Sequence, residues 1–92
     1  MLKTFTHKGL EVFFKQSLKK GITPQYADRI RRILDRLESA TAAADMHLPG
    51  YGFHELLGGR KGVYAVKVSG NWRITFRFEG GNAFDVNLED YH

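Results

Sequence analysis

The clearest pattern in the chain lies in its last third. From Asn71 to Phe78 apolar and polar residues alternate without a break. Trp72, Ile74, Phe76 and Phe78 point one way, and Asn71, Arg73, Thr75 and Arg77 the other. A period of two, rich in aromatic and β-branched types, predicts a half-buried strand. Before it, Val63-Tyr64-Ala65-Val66-Lys67-Val68 is joined through Ser69-Gly70, a connection short enough for a hairpin. After it, Phe84, Val86 and Leu88 fall on one face of a third strand, with Asp85, Asn87 and Glu89 on the other. Gly80-Gly81-Asn82 supplies the turn between them, since glycine and asparagine tolerate positive φ. Together the three segments predict an antiparallel meander.

Upstream the period changes to that of helices. A first helix is expected to begin near Thr6, as N-cap, and to run through Leu10, Phe13, Phe14 and Leu18. Lys19-Lys20-Gly21 would stop it, with cations in the last turn and glycine beyond. The second helix has Thr23 as cap and Pro24 at its first position, where a missing N–H does no harm. Tyr26, Ile30, Ile33, Leu34 and Leu37 then share one face. Residues 39–50 read as a helical turn and a loop, and residues 51–56 as a strand carrying His54. Residues 2–5 alternate weakly, as a short edge strand would. The loop Leu57-Gly58-Gly59-Arg60-Lys61-Gly62 is basic and glycine-rich but lacks the spacing of a phosphate-binding Walker loop. Two helices followed by a run of strands predict an α+β fold. The two N-terminal helices would pack on one face of a mostly antiparallel sheet, in a single domain spanning 1–92.

Composition changes this picture little. Hydrophobic content of 42% and charged content of 26% are ordinary for a globular domain. The absence of cysteine excludes disulfides and thiolate metal sites, and fits a cytoplasmic protein. No apolar run approaches a signal peptide or a membrane span, so no membrane association is expected. Charge is more informative. The net value is +4, and residues 1–40 carry nine Lys/Arg against four Asp/Glu, while residues 41–92 carry five against six. The basic excess lies on the helices; it suggests nucleic acid or another polyanion as a partner, and the plainer reading is a solvated surface with a modest positive bias.

Helices on one face leave the other face of the sheet for chemistry. Arg73 and Arg77 belong to its polar side, Arg60 and Lys61 to a nearby turn, and His54 to a neighbouring strand. Asp90-Tyr91-His92 closes the sequence. Metal-independent cleavage of RNA needs a base for a ribose 2′-OH, an acid for the departing 5′-oxygen, and a cation for the charge on phosphate. Histidine suits either proton role because its ordinary pKa, about 6.5, lies near working pH. Each residue also has a plainer reading. His54 fits a solvent-facing strand histidine, Arg73 a cross-strand partner of Asp85 or Glu89, and the last three residues a frayed end. His7 belongs with the helix start. His47, His54 and His92 lack the spacing of a zinc motif, and no cofactor is expected. From residues alone the chain is a small basic α+β domain with an acid–base and cation face, which does not establish an enzyme.

Three stretches resemble one family. Lys3-Thr4-Phe5-Thr6-His7-Lys8-Gly9-Leu10, Asn71-Trp72-Arg73-Ile74-Thr75-Phe76 and Glu89-Asp90-Tyr91-His92 are similar to the HigB toxins of the RelE superfamily. The resemblance covers the whole chain and implies a RelE-like toxin fold. It implies a bacterial toxin that cuts mRNA in the ribosomal A site, on the small subunit. It also implies silencing by a helix-turn-helix antitoxin, HigA, with DNA reached only through the antitoxin complex. It carries catalytic roles to His54, Arg73, Asp90, Tyr91 and His92. Asp90 and His92 take the acid and base roles in either order, and His54 is a second proton carrier or an orienting group. Arg73 stabilises the phosphate, and Tyr91 stacks on a base or donates to the phosphate. Arg60, Lys61, Arg77, Lys19 and Lys20 are the expected RNA contacts. Leu57 departs from the family, which often has lysine there; the nearest cations are Arg60 and Lys61, and whether either substitutes is open. The rival expectation is a non-catalytic RNA- or protein-binding relative.

Overall fold

The computed structural model describes residues 1–90. Two helices, α1 (Lys8–Gln16) and α2 (Ala27–Ser39), precede four strands: β1 (His54–Glu55), β2 (Val63–Ser69), β3 (Trp72–Glu79) and β4 (Asn82–Asp90). The strands form one sheet in the order β1-β2-β3-β4, and every neighbouring pair is antiparallel. Alternation dictates which side is covered. Val66, Ile74, Phe76 and Val86 are fully buried beneath the helices, joined there by Ile30, Ile33, Leu34 and Leu37 from one stripe of α2. This is the expected α+β arrangement, with helices on one face and the other face open.

The expected edge strand is a pair of parallel bridges, Leu2 with Ala83 and Phe5 with Val86. Residues 1–6 lie along the outer edge of β4, covering groups that would otherwise invite pairing with another chain. Leu2 N–H also donates to Glu38 Oε1 at 2.8 Å, tying that segment to α2.

Helix boundaries differ from the expectation. His7, not Thr6, caps α1: its Nδ1 accepts from the Leu10 N–H at 3.1 Å. The helix stops at Gln16, before Leu18, because Ser17 turns left-handed (φ 57°) and donates its N–H to the Phe13 carbonyl. Arg31 of α2 then reaches across, donating to the same carbonyl at 2.9 Å and lying over the Phe13 ring. Leu18 is left exposed. Gly21 has a different task from stopping the helix. A Cβ on Gly9 would sit 2.8 Å from the Gly21 carbonyl oxygen, so two glycines let this turn pack on the start of α1. Thr23 makes no side-chain cap, and Pro24–Tyr26 form a 3₁₀ turn before α2. The strand expected over 51–56 is confined to His54–Glu55.

In β4 the expected facing is broken. Thr75 pairs with Asn87 but Arg77 with Phe84, so one extra residue is accommodated in β4. Asp85 takes it up at φ 53°, and its N–H is satisfied by Thr4 Oγ1 at 2.8 Å. This β-bulge inverts the alternation before it. Ala83 enters the core with Val86, while Phe84 turns to the open face beside Arg77.

Candidate active site

Pairing aligns three rows of residues across the open face. His54, Ala65, Thr75 and Asn87 form one; Lys67, Arg73 and Glu89 the next; Val63, Arg77 and Phe84 the third. With strands about 4.8 Å apart, the row from His54 to Asn87 spans roughly 14 Å. The face is not bare. Leu56, Val63 and Ala65 make a small buried cluster of their own at the β1 side.

His54 is exposed, with Nδ1 2.9 Å from the Gly52 carbonyl oxygen. A carbonyl only accepts, so Nδ1 carries the proton and Nε2 presents a lone pair in the neutral ring. Arg73, one row over, donates from Nη1 to the Gly70 carbonyl at 3.1 Å, which holds it at the β2–β3 turn. Arg77 pairs with Asp85 at 3.7 Å. Asp90 ends β4 opposite Trp72, one position past the row that holds Glu89, and so starts on the helix side of the sheet. Tyr91 and His92 lie outside the described residues. Lys19 and Lys20 belong to the turn packed on α1, in the helical layer, and are not brought to the open face.

Arg60 does reach the face, but through a carboxylate. A 3₁₀ turn, Gly58–Arg60, swings it over β4, where Nη1 and Nη2 donate to Glu89 Oε1 and Oε2 at 2.8 and 2.6 Å. Glu89 also accepts from Thr75 Oγ1 at 2.6 Å and Asn87 Nδ2 at 3.4 Å. The Arg60 hydrogen bonds outweigh partial burial, and with help from Thr75 and Asn87 they lower the Glu89 carboxyl to about 2. Thr75 is 2% exposed, a buried hydroxyl satisfied by this bond. Glu89, Thr75 and Asn87 were not among the expected site residues. Their polar-face positions were visible in the alternation, but their partner across 29 residues was not.

Arg60 separates two clefts. One, of about 220 Å³, is lined by Thr75, Arg77, Asn87 and Glu89. The other, about 470 Å³, holds His54, Glu55, Leu56 and Leu57. Leu57 stands 91% exposed at its mouth, where the family resemblance expects a cation. In the same loop Lys61 makes no ion pair with a described residue. His7 faces burial, which lowers its pKa, and serves the helix cap. Among the described residues no cluster of histidine and carboxylate could hold a metal.

A model of HigB-like toxins, described as RelE-like toxins of the type II toxin–antitoxin system HigB, matches residues 3–92. The chain belongs to the HigB-like toxin family. It is 40% identical over 92 residues to the Proteus vulgaris "Endoribonuclease HigB", covering all of both chains. It is 28% identical over 93 residues to "Toxin HigB-1" of Vibrio cholerae, covering 99% of this chain and 98% of that one. Placed in the HigB-like family, the open face with His54 and Arg73 is the natural candidate for the toxin's chemistry. No helix among the described residues is long and apolar enough to cross a membrane.

Proposed function

We propose that this chain is an endoribonuclease toxin that cleaves mRNA in the ribosomal A site. The observation that carries the reading is His54, held at Nδ1 by Gly52 and exposed on the face that also bears Arg73. Nε2 takes the proton from a ribose 2′-OH, whose oxygen attacks the adjacent phosphorus. The P–O5′ bond breaks, the 5′-oxygen gains a proton, and a 2′,3′-cyclic phosphate remains. Charge building on the phosphate is met by Arg73. The leaving oxygen receives its proton from His92, with Asp90 assisting. Tyr91 stacks on a base or donates to the phosphate. The names of the two relatives, one an endoribonuclease and one a toxin, support the same activity here.

The toxin acts in the cytoplasm and is silenced by a helix-turn-helix antitoxin of HigA type, which brings it to DNA. The sheet offers one shallow face, too little to orient an RNA strand, and the ribosome supplies that orientation. His54→Ala and deletion of His92 test the proton roles. Each should slow cleavage of ribosome-bound mRNA by about 10²–10⁴-fold. Full activity of either variant removes that residue from the mechanism. The exposed Leu57 favours the rival reading, a relative that binds without cutting. Ribosome binding by the wild type without any new mRNA ends would establish it.

A further inference from the structure

One heavily bonded side chain on the open face has no part in the chemistry above. Glu89 accepts from three residues, Arg60, Thr75 and Asn87, and its two oxygens are engaged by one guanidinium in a fork. Paired planar groups of this kind fix direction as well as position. The loop that Arg60 belongs to needs fixing. Gly58 and Gly62 stand at φ 73° and 90°, and Gly59 lies between Gly58 and Arg60. Its ends are tied: Leu56 N–H donates to the Val63 carbonyl, and Gly62 N–H to Glu55 Oε2. The span between them is fastened to β4 by the Arg60–Glu89 fork. Because Arg60 lines the cleft of His54 as well as the cleft of Thr75 and Arg77, the fork sets the shape of both.

Charge separates the two cations of this loop. The Arg60 charge is offset by Glu89 at 2.6 Å, which discourages a second anion. Lys61 follows directly, is exposed, and makes no ion pair with a described residue. We propose that Glu89 is a positioning residue for the RNA-cleaving face. Acting through Arg60, it latches the 57–62 loop across the sheet and leaves Lys61 as the loop's phosphate-binding cation. This rests on the reading that the open face cleaves RNA, and it accounts for a toxin that carries leucine at position 57.

The test uses the full chain and two readouts: hydrogen exchange of the free protein, and cleavage of mRNA on translating ribosomes. Glu89→Gln and Arg60→Lys should each speed exchange at residues 58–62 and leave α2 protected. Misplacing the loop by an ångström should slow cleavage by about 10²-fold. Arg60→Glu combined with Glu89→Arg should recover most of the cleavage that either reversal alone removes. Lys61→Ala should leave loop exchange as in the wild type. With a short single-stranded RNA it should reduce the slope of log affinity against log salt by about 0.7, one phosphate contact, while Arg60→Lys leaves that slope unchanged. Wild-type loop exchange and cleavage in Glu89→Gln would overturn the latch. A wild-type salt slope in Lys61→Ala would overturn the assignment of the cation. A wild-type protein that cuts nothing would count against the proposed function alone, because the exchange measurement still decides the latch.

Discussion

On the helix side of the sheet, Val66, Ile74, Phe76 and Val86 are sealed under α1 and α2. One step along the same strands, the open side carries Ala65, Arg73, Thr75 and Asn87. The first side is held by apolar burial, which is non-directional and involves no titrating group. The second is held by a carboxylate, a guanidinium, a hydroxyl and an amide, whose strength depends on geometry and protonation. Strand alternation therefore lets one sheet keep a robust fold on one surface and an adjustable polar surface on the other. The comparison also explains why the buried Thr75 is tolerated: its hydroxyl is consumed by Glu89.

Substitutions can damage each side of the sheet separately. Phe76→Ala removes a fully buried ring that contacts Tyr64 and Phe78. It should cost about 3–5 kcal/mol, a large part of the stability of so small a chain, read as a lower urea midpoint. Arg73→Ala should do the reverse. Losing a donor to the transition state typically slows reaction by about 10²–10³-fold, while the urea midpoint should move by less than about 0.5 kcal/mol equivalent. A large loss of stability in Arg73→Ala would make that residue structural.

Smaller effects sharpen the contrast. Thr75→Val keeps the shape but strips Glu89 of a donor, and should destabilise by about 1.5–3 kcal/mol, the range for a hydrogen bond to a charged group. Acid should find the same site. Glu89 titrates at about 2 in the folded chain instead of the ordinary 4.5. Its contribution is fully present above about pH 4.5 and is lost as pH falls toward 2. Urea midpoints of the wild type should therefore fall through that window, and those of Glu89→Gln should fall less. Equal slopes in the two proteins would mean that the Arg60–Glu89 fork contributes little to folding.

The two sides were also unequally legible in the sequence. Local periodicity sufficed for the α2 stripe and for the strands around Ile74 and Phe76, because those residues need only face inward. It misplaced Phe84, because the bulge at Asp85 depends on Thr4, a residue 81 positions away that accepts the bulged N–H. It misjudged the end of α1, where Ser17 turns left-handed and Arg31 of another helix adds a second donor to the Phe13 carbonyl. Arg60 was visible as a cation and Glu89 as a polar-face residue. Their pairing was not, because no local pattern says where a glycine-rich loop will land. His54 and Arg73 stand out by chemistry and resemblance, and strand pairing puts them on one face.

On the proposed reading, the open face cuts RNA that the ribosome holds. The direct measurement is to map the 5′ ends of one mRNA incubated with the protein, naked and in a translating extract, at the same low protein concentration. The account predicts new ends inside the reading frame of the translated message, none on the naked message, and loss of those ends with Arg73→Ala. Equal cleavage of naked and translated mRNA would contradict it.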